Sequence, residues 1–202
     1  MSSLKLKHSG GNSVSIAAPS SNPASNRTIT VPSTADGTML TTTNPKSGNI
    51  IQVKSVIKTD TFTTDSTSYT DVTGLSVDIT PTSSDSKILI MMHVQMGHAS
   101  NVSGFLRLVR DSTAIAVGTG AGSRYACTVC MSDDPTDDEL NSLSMTFLDS
   151  PSTTSSTTYK VQIITEGSAN TGNVYINRSG EDSDNVQHGR PVSTITLMEV
   201  AG

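Results

Sequence analysis

Hydrophobic residues in this chain gather in short blocks where apolar and polar positions alternate. Ile50-Ile51-Gln52-Val53-Lys54-Ser55-Val56-Ile57 and Ile88-Leu89-Ile90-Met91-Met92 are two of them. No stretch repeats apolar residues at spacings of three and four over two helical turns, so the pattern predicts strands rather than helices. Gly, Pro, Asn, Asp and Ser bound the blocks, placing strands near 51–58, 74–80, 87–96, 103–110, 113–117, 124–131, 142–148, 158–166, 173–177 and 192–200. So many short strands predict an all-β, two-sheet sandwich with a jelly roll as the leading topology. The Ser/Thr runs 61–70 and 150–158 lie between apolar blocks and fit hairpin turns or strand ends.

Residues 1–48 follow a different rhythm. Apolar pairs occur at Leu4/Leu6, Val14/Ile16 and Ile29/Val31, separated by Ser, Asn, Pro and Gly. Ordering a residue's backbone costs roughly 1–2 kcal/mol, and burying a large aliphatic side chain returns only about 1.5–3 kcal/mol. Strands this short are therefore marginal in a single chain and gain stability by wrapping identical copies around a shared axis or by docking on another protein. The expected organisation is a stem or attachment segment, 1–48, and a β-sandwich head, 49–202, with 41–49 as the connector.

Composition narrows the function. Apolar residues make up 34% of the chain and aromatics 3%, yet the apolar residues are grouped, which argues for a folded Thr-rich β protein over a disordered one. The formal charge is −5, and Lys and Arg are dispersed singly. Nucleic-acid binding needs clustered cations to displace counterions from phosphates, so it is not expected, and neither is binding to anionic membranes. The opening Met-Ser-Ser-Leu-Lys-Leu-Lys has no apolar run of signal-peptide or membrane-spanning length, so synthesis in a cytoplasm without membrane insertion is expected.

Several segments, taken in order, resemble phage tail-fibre-like virion proteins of the marine and cyanobacterial type. Residues 4–16, Leu-Lys-Leu-Lys-His-Ser-Gly-Gly-Asn-Ser-Val-Ser-Ile, and 26–40, Asn-Arg-Thr-Ile-Thr-Val-Pro-Ser-Thr-Ala-Asp-Gly-Thr-Met-Leu, are similar to their repeating stem segments. Gly-Asn-Ile-Ile-Gln-Val-Lys-Ser-Val at 48–56 and the stretch 75–90 resemble the start of their C-terminal domain, and 147–159 and 193–200 resemble later parts of it. The resemblance implies a homotrimeric virion component with a slender N-terminal stem and a jelly-roll-like head. It would attach to tail or capsid proteins through its N-terminus and bind a host-surface glycan or protein with its head. Such fibres carry many stem repeats whereas this chain has about one, so a capsid or tail decoration or adaptor protein is the alternative, with a polysaccharide depolymerase third.

Candidate chemistry is sparse. No Gly-x-Ser-x-Gly elbow, phosphate-binding loop or dinucleotide fingerprint occurs, and no cofactor is expected. Cys127 and Cys130 are three apart, which on a strand sends them to opposite faces and gives neither a redox nor a zinc context. His93 and His98, five apart, also face opposite sides unless Gly97 makes a bulge. The loop holding Asp133, Asp134, Asp137, Asp138 and Glu139 lacks the spacing of a calcium loop and is expected to be solvated, so no metal site is assigned. Phe105 and Phe147 sit in apolar strand contexts and are expected in the core. Glycan recognition pairs an aromatic face with hydroxyl, amide and charged partners. That chemistry singles out Tyr125 beside Arg124, and Tyr175 beside Asn173 and Asn177, as candidate receptor contacts.

Overall fold

The computed structural model describes residues 3–7, 9–17, 45–132, 135–166 and 172–202. The chain divides into two units, Met1–Met39 and Leu40–Gly202. In the first, β1 (Ser3–Lys7) pairs antiparallel with β2 (Ser13–Ala17), setting Leu4 opposite Ile16 and Leu6 opposite Val14. Leu6 and Ile16 stay exposed, and a lone two-stranded hairpin is marginal in water. The Ile29/Val31 pair, His8 and connector residues 41–44 lie outside the described residues. Residues 48 and 49 are fastened to the end of the larger unit, Gly48 N–H donating to the Ala201 carbonyl and Ala201 N–H to that of Asn49.

The larger unit holds β3 (Ile50–Lys58), β4 (Phe62–Thr64), β5 (Thr70–Ile79), β6 (Lys87–His98), β7 (Gly104–Arg110) and β8 (Thr113–Ile115). It continues with β9 (Val129–Met131), β10 (Asn141–Asp149), β11 (Thr157–Thr165), β12 (Val174–Ile176) and β13 (Ser193–Val200). No helix occurs among the described residues. In one antiparallel sheet, β13 and β12 share one side of β6, β3 and β4 extend them, and β10 takes the other side. In the second, β5 pairs β11, β11 pairs β7, and β8 and β9 share the far side of β7. Counting β3 with β4, β8 with β9, and β12 with β13 as single rows and lettering the eight rows B to I along the chain gives strand orders B-I-D-G and C-H-E-F, the two interleaved Greek keys of a jelly roll.

Period-two alternation explains the core. On β6, Ile88, Ile90, Met92, Val94 and Met96 point inward and are buried, against Leu106, Leu108, Val161 and Ile163 of the other sheet. Each contributes about 1.5–3 kcal/mol relative to exposure. β4 was not expected. It is three residues long, within the Ser/Thr run, and is ordered by pairing with β12 rather than by apolar pattern. The rest of that run makes hydroxyl turns, Ser66 N–H donating to Thr64 Oγ1 and Ser68 N–H to Ser66 Oγ, and Ser155 N–H does the same to Thr153 Oγ1 in the 150–158 run.

Two polar clusters tie the sandwich together. At one end Arg110 of β7 donates to both carboxylate oxygens of Asp149 on β10, at 2.9 and 2.8 Å, and the buried Tyr159 hydroxyl of β11 donates to Asp149 Oδ2 at 2.6 Å, so the trio bridges the two sheets. In the other cluster Glu199, fully buried on β13, accepts from Gln52 Nε2, Thr82 N–H and Thr82 Oγ1. Burial pushes the Glu199 pKa up, but those hydrogen bonds outweigh it and hold the carboxyl below its ordinary value.

Candidate functional site

The β8–β9 connection builds a depression against the outward face of β7. It turns tightly at Ala121–Arg124, where Gly122 takes φ +62° and Arg124 N–H donates to the Ala121 carbonyl. It is fastened back by Gly118 N–H to the Cys127 carbonyl, Thr128 N–H to the Leu106 carbonyl, and Leu108 N–H to Thr128 Oγ1. The turn places Arg124 and Tyr125 at the mouth of an open pocket of about 610 Å³, lined also by Phe105, Ser123, Cys127, Cys130 and Glu166. Tyr125 leans on Phe105 with ring centroids 4.9 Å apart at 44°, leaving an aromatic wall. Behind it the Tyr69 hydroxyl donates to the Ala126 carbonyl, and the Arg107 guanidinium lies 3.8 Å from the Tyr69 ring centre. Glu166 Oε1 accepts from Ser103 N–H, which orients the carboxylate. An aromatic wall with a guanidinium, a carboxylate and a hydroxyl is chemistry suited to a polyol such as a sugar ring.

Three lining residues depart from the sequence expectations. Phe105 is not a core residue: Leu106 and Leu108 point inward, and Phe105, out of phase with them, points into the pocket. The cysteines do converge, because Cys127 precedes β9 and strand alternation does not govern it. Cys130 sits opposite Phe105, and both thiols are free. Burial, then the neighbouring Cys130, pushes the Cys127 pKa up to about 11, so the thiol stays protonated at neutral pH and is a poor nucleophile.

The second candidate group is placed differently. Tyr175 and Asn177 are buried, and Asn173 is half-buried. Asn177, at φ 61°, donates to the Lys58 and Asp60 carbonyls and accepts from Ser193 Oγ, so it fastens strand ends. Tyr175 points outward from β12 but is covered by the chain after it, the Arg178 guanidinium lying 4.2 Å from its ring centre. Residues 178–180 pack so closely on Gly97 that a Cβ there would strike the Arg178 carbonyl. Gly97 thus makes room rather than a bulge: it pairs regularly with Tyr175, His93 faces out, and His98 is buried. Tyr175 and Asn177 are therefore out of reach of a surface ligand, and Arg124 and Tyr125 are the candidates that meet in an open site.

Asp133 and Asp134 lie outside the described residues. Asp138 of the acidic loop comes near Glu181 and His188, with ligand atoms within 4.8 Å of one another, and His188 Nδ1 shares a hydrogen with Ser183 Oγ. Three side chains, two of them exposed carboxylates, fall short of the six to eight oxygens that calcium takes. Calcium is therefore expected to leave the melting temperature unmoved. Binding at a hundredfold excess over Kd would instead add about 2.7 kcal/mol, seen as a chelator-reversible rise of several degrees. Such a rise would overturn the solvated-loop reading.

No protein-family profile matches the chain, and no curated protein sequence matches it. Solved structures that resemble it include the infectious bursal disease virus Gx strain (TM-score 0.39, 14% identity, 94% of this chain and 43% of that one). T=1 particles derived from infectious bursal virus (0.42, 13%, 87% and 41%) and the infectious bursal disease virus VP2 subviral particle (0.41, 14%, 94% and 46%) are others. The chain spans less than half the length of each of these. At these TM-scores the likeness bears on neither topology in detail nor role.

Proposed function

We propose that this chain is a non-enzymatic structural component of a bacteriophage virion. It is a short homotrimeric fibre or appendage whose residues 1–48 attach it to tail or capsid proteins and whose head, 49–202, contacts a host-surface glycan or protein. The pocket at Arg124 and Tyr125 carries this reading. It is open, its aromatic wall is backed by fixed hydrogen bonds, and it brings a guanidinium and an oriented carboxylate to one mouth. The ordered resemblance to tail-fibre-like proteins and the exposed apolar side chains of the β1–β2 hairpin support the attachment half.

The test is competition. Excess purified full chain is expected to block adsorption of the particles that carry it. Truncating the aromatic wall or the cation, Tyr125→Ala or Arg124→Ala, is expected to raise the blocking concentration at least tenfold, the usual loss for a central aromatic or arginine anchor. Blocking by both variants at the wild-type concentration would sink the assignment. Release of reducing sugar from host polysaccharide would replace it with the depolymerase reading.

A further inference from the structure

The two outward faces of the sandwich differ in a way that solvent exposure alone does not explain. On the β5–β11–β7 sheet the outward side chains are charged and cross-linked: Lys160 pairs with Asp71 at 2.8 Å, Gln162 donates to Asp71, Arg107 donates to Gln162, and Thr158 donates to Asp78. That is an ordinary wetted sheet surface. On the other sheet, strand register lines up Val53, Met198, Leu89 and Leu148 in one apolar row across β3, β13, β6 and β10. Met91 flanks the row on one side and Ile50 and Val200 on the other. Val53, Met91, Leu148 and Ile50 are each about half exposed, at 53, 46, 46 and 56%.

Several of the polar groups on this face bond to one another. Ser55 Oγ and Thr196 Oγ1 share a hydrogen at 2.8 Å, Gln95 Nε2 meets His93 Nε2 at 2.8 Å, and Ser142 Oγ donates to Gln95 Oε1 at 3.0 Å. Lysine enters only at Lys87, at one end of the face. Near the other end the chain covers its own sheet, where residues 178–180 pack on Gly97 and Tyr175. Along one side runs β10, which among the described residues pairs only with β6 and carries no lysine or proline to guard its open edge.

We propose that this face, the outward surface of the β3–β13–β6–β10 sheet, packs against a second copy of this chain and is the subunit interface of the head. The inference rests on reading the protein as an assembly of identical copies, and it places their contact on the head, not on the stem alone. Three features favour a second copy over another partner. A chain of net charge −5 can approach its own kind only where like charges are not opposed, and this face offers such a place. A continuous apolar row, with charge confined to one end of the face, matches homo-oligomer interfaces, which are more apolar than transient ones and depleted of charge at their centre. Its extent also suits the task, since roughly 17 outward positions approach the 20–30 residues that each side of a stable interface supplies.

The experiment is mass by light scattering on the full chain. Wild type is expected at three times 21.1 kDa. Met91→Lys with Leu148→Lys is expected to run as a monomer, while Thr73→Lys, at an exposed position on the other sheet, leaves the mass unchanged. Circular dichroism and a cooperative melt establish that each variant is folded. If the lysine pair misfolds, Met91→Thr with Leu148→Thr keeps β-favouring side chains and is expected to raise the dissociation constant at least tenfold. Folded variants that remain trimers at wild-type affinity would overturn the face while leaving the trimer reading intact. A monomeric wild type would overturn both, handing the face to another virion protein or to the chain's own N-terminal segment.

Discussion

Replacing Asp149 with alanine is expected to destabilise the head by about 3 kcal/mol, the low end of the cost of breaking a buried ion pair by removing one partner. The low end applies because Arg110 keeps 27% of its side chain exposed and regains some hydration. Tyr159 does not: it is fully buried, and its hydroxyl loses its acceptor with no water to replace it. Burial first, and then the Asp149 carboxylate, push the tyrosine pKa up, so the hydroxyl stays a donor throughout the accessible pH range. Because the trio joins β10 of one sheet to β7 and β11 of the other, the loss acts on the closure of the sandwich. Denaturant titration should show it directly, and the melting temperature should fall on the order of 10 °C. A loss under about 1 kcal/mol would mean that the bridge is a surface pair of little weight.

Glu199→Ala is the second large effect expected, again about 3 kcal/mol. The change removes a buried carboxylate that accepts from the Thr82 N–H, the Thr82 hydroxyl and the Gln52 amide, and a hydrogen bond to a charged group is worth about 1.5–3 kcal/mol; Thr82 is exposed and Gln52 keeps the Thr80 carbonyl, so the loss stays near that of one or two such bonds. Acid titration separates this from simple packing loss. The folded pKa of Glu199 lies below its ordinary value of 4.5, so the stabilisation is complete above that value and disappears as pH falls through the folded pKa. Glu199→Gln should therefore narrow its deficit relative to wild type as pH drops from 6 toward 3. A deficit that stays constant over that range would contradict hydrogen bonding to the ionised carboxylate as the cause.

The strands were legible because burial on one face writes itself into the sequence every second residue. Ile88 to Met96 on β6 and Tyr159 to Ile163 on β11 follow that rule, and the Ser/Thr run 150–158 lies between β10 and the start of β11, whereas the run 61–70 holds the unexpected β4. Where order comes from pairing or from a turn, the pattern is silent. β4 is held by β12, and Cys127 approaches Cys130 because it lies outside β9. The candidate site was half legible. Arg124 and Tyr125 are neighbours, so one turn brings both to the pocket mouth, whereas Phe105 and Glu166 reach it through the pairing of β7 with β9 and β11. Phe105 carried a usable signal in its phase against Leu106 and Leu108. Tyr175 carried a misleading one, since alternation sends it outward and only the return of residues 178–180 across Gly97 covers it.

The claim that this chain is a virion component with an outward head is tested most directly by electron microscopy of the particles that carry it, labelled with antibody against residues 49–202. Label is expected on projecting appendages, at threefold-symmetric positions, with the N-terminal residues at the particle surface. Label absent from intact particles, with the protein found only in the lysate, would contradict it.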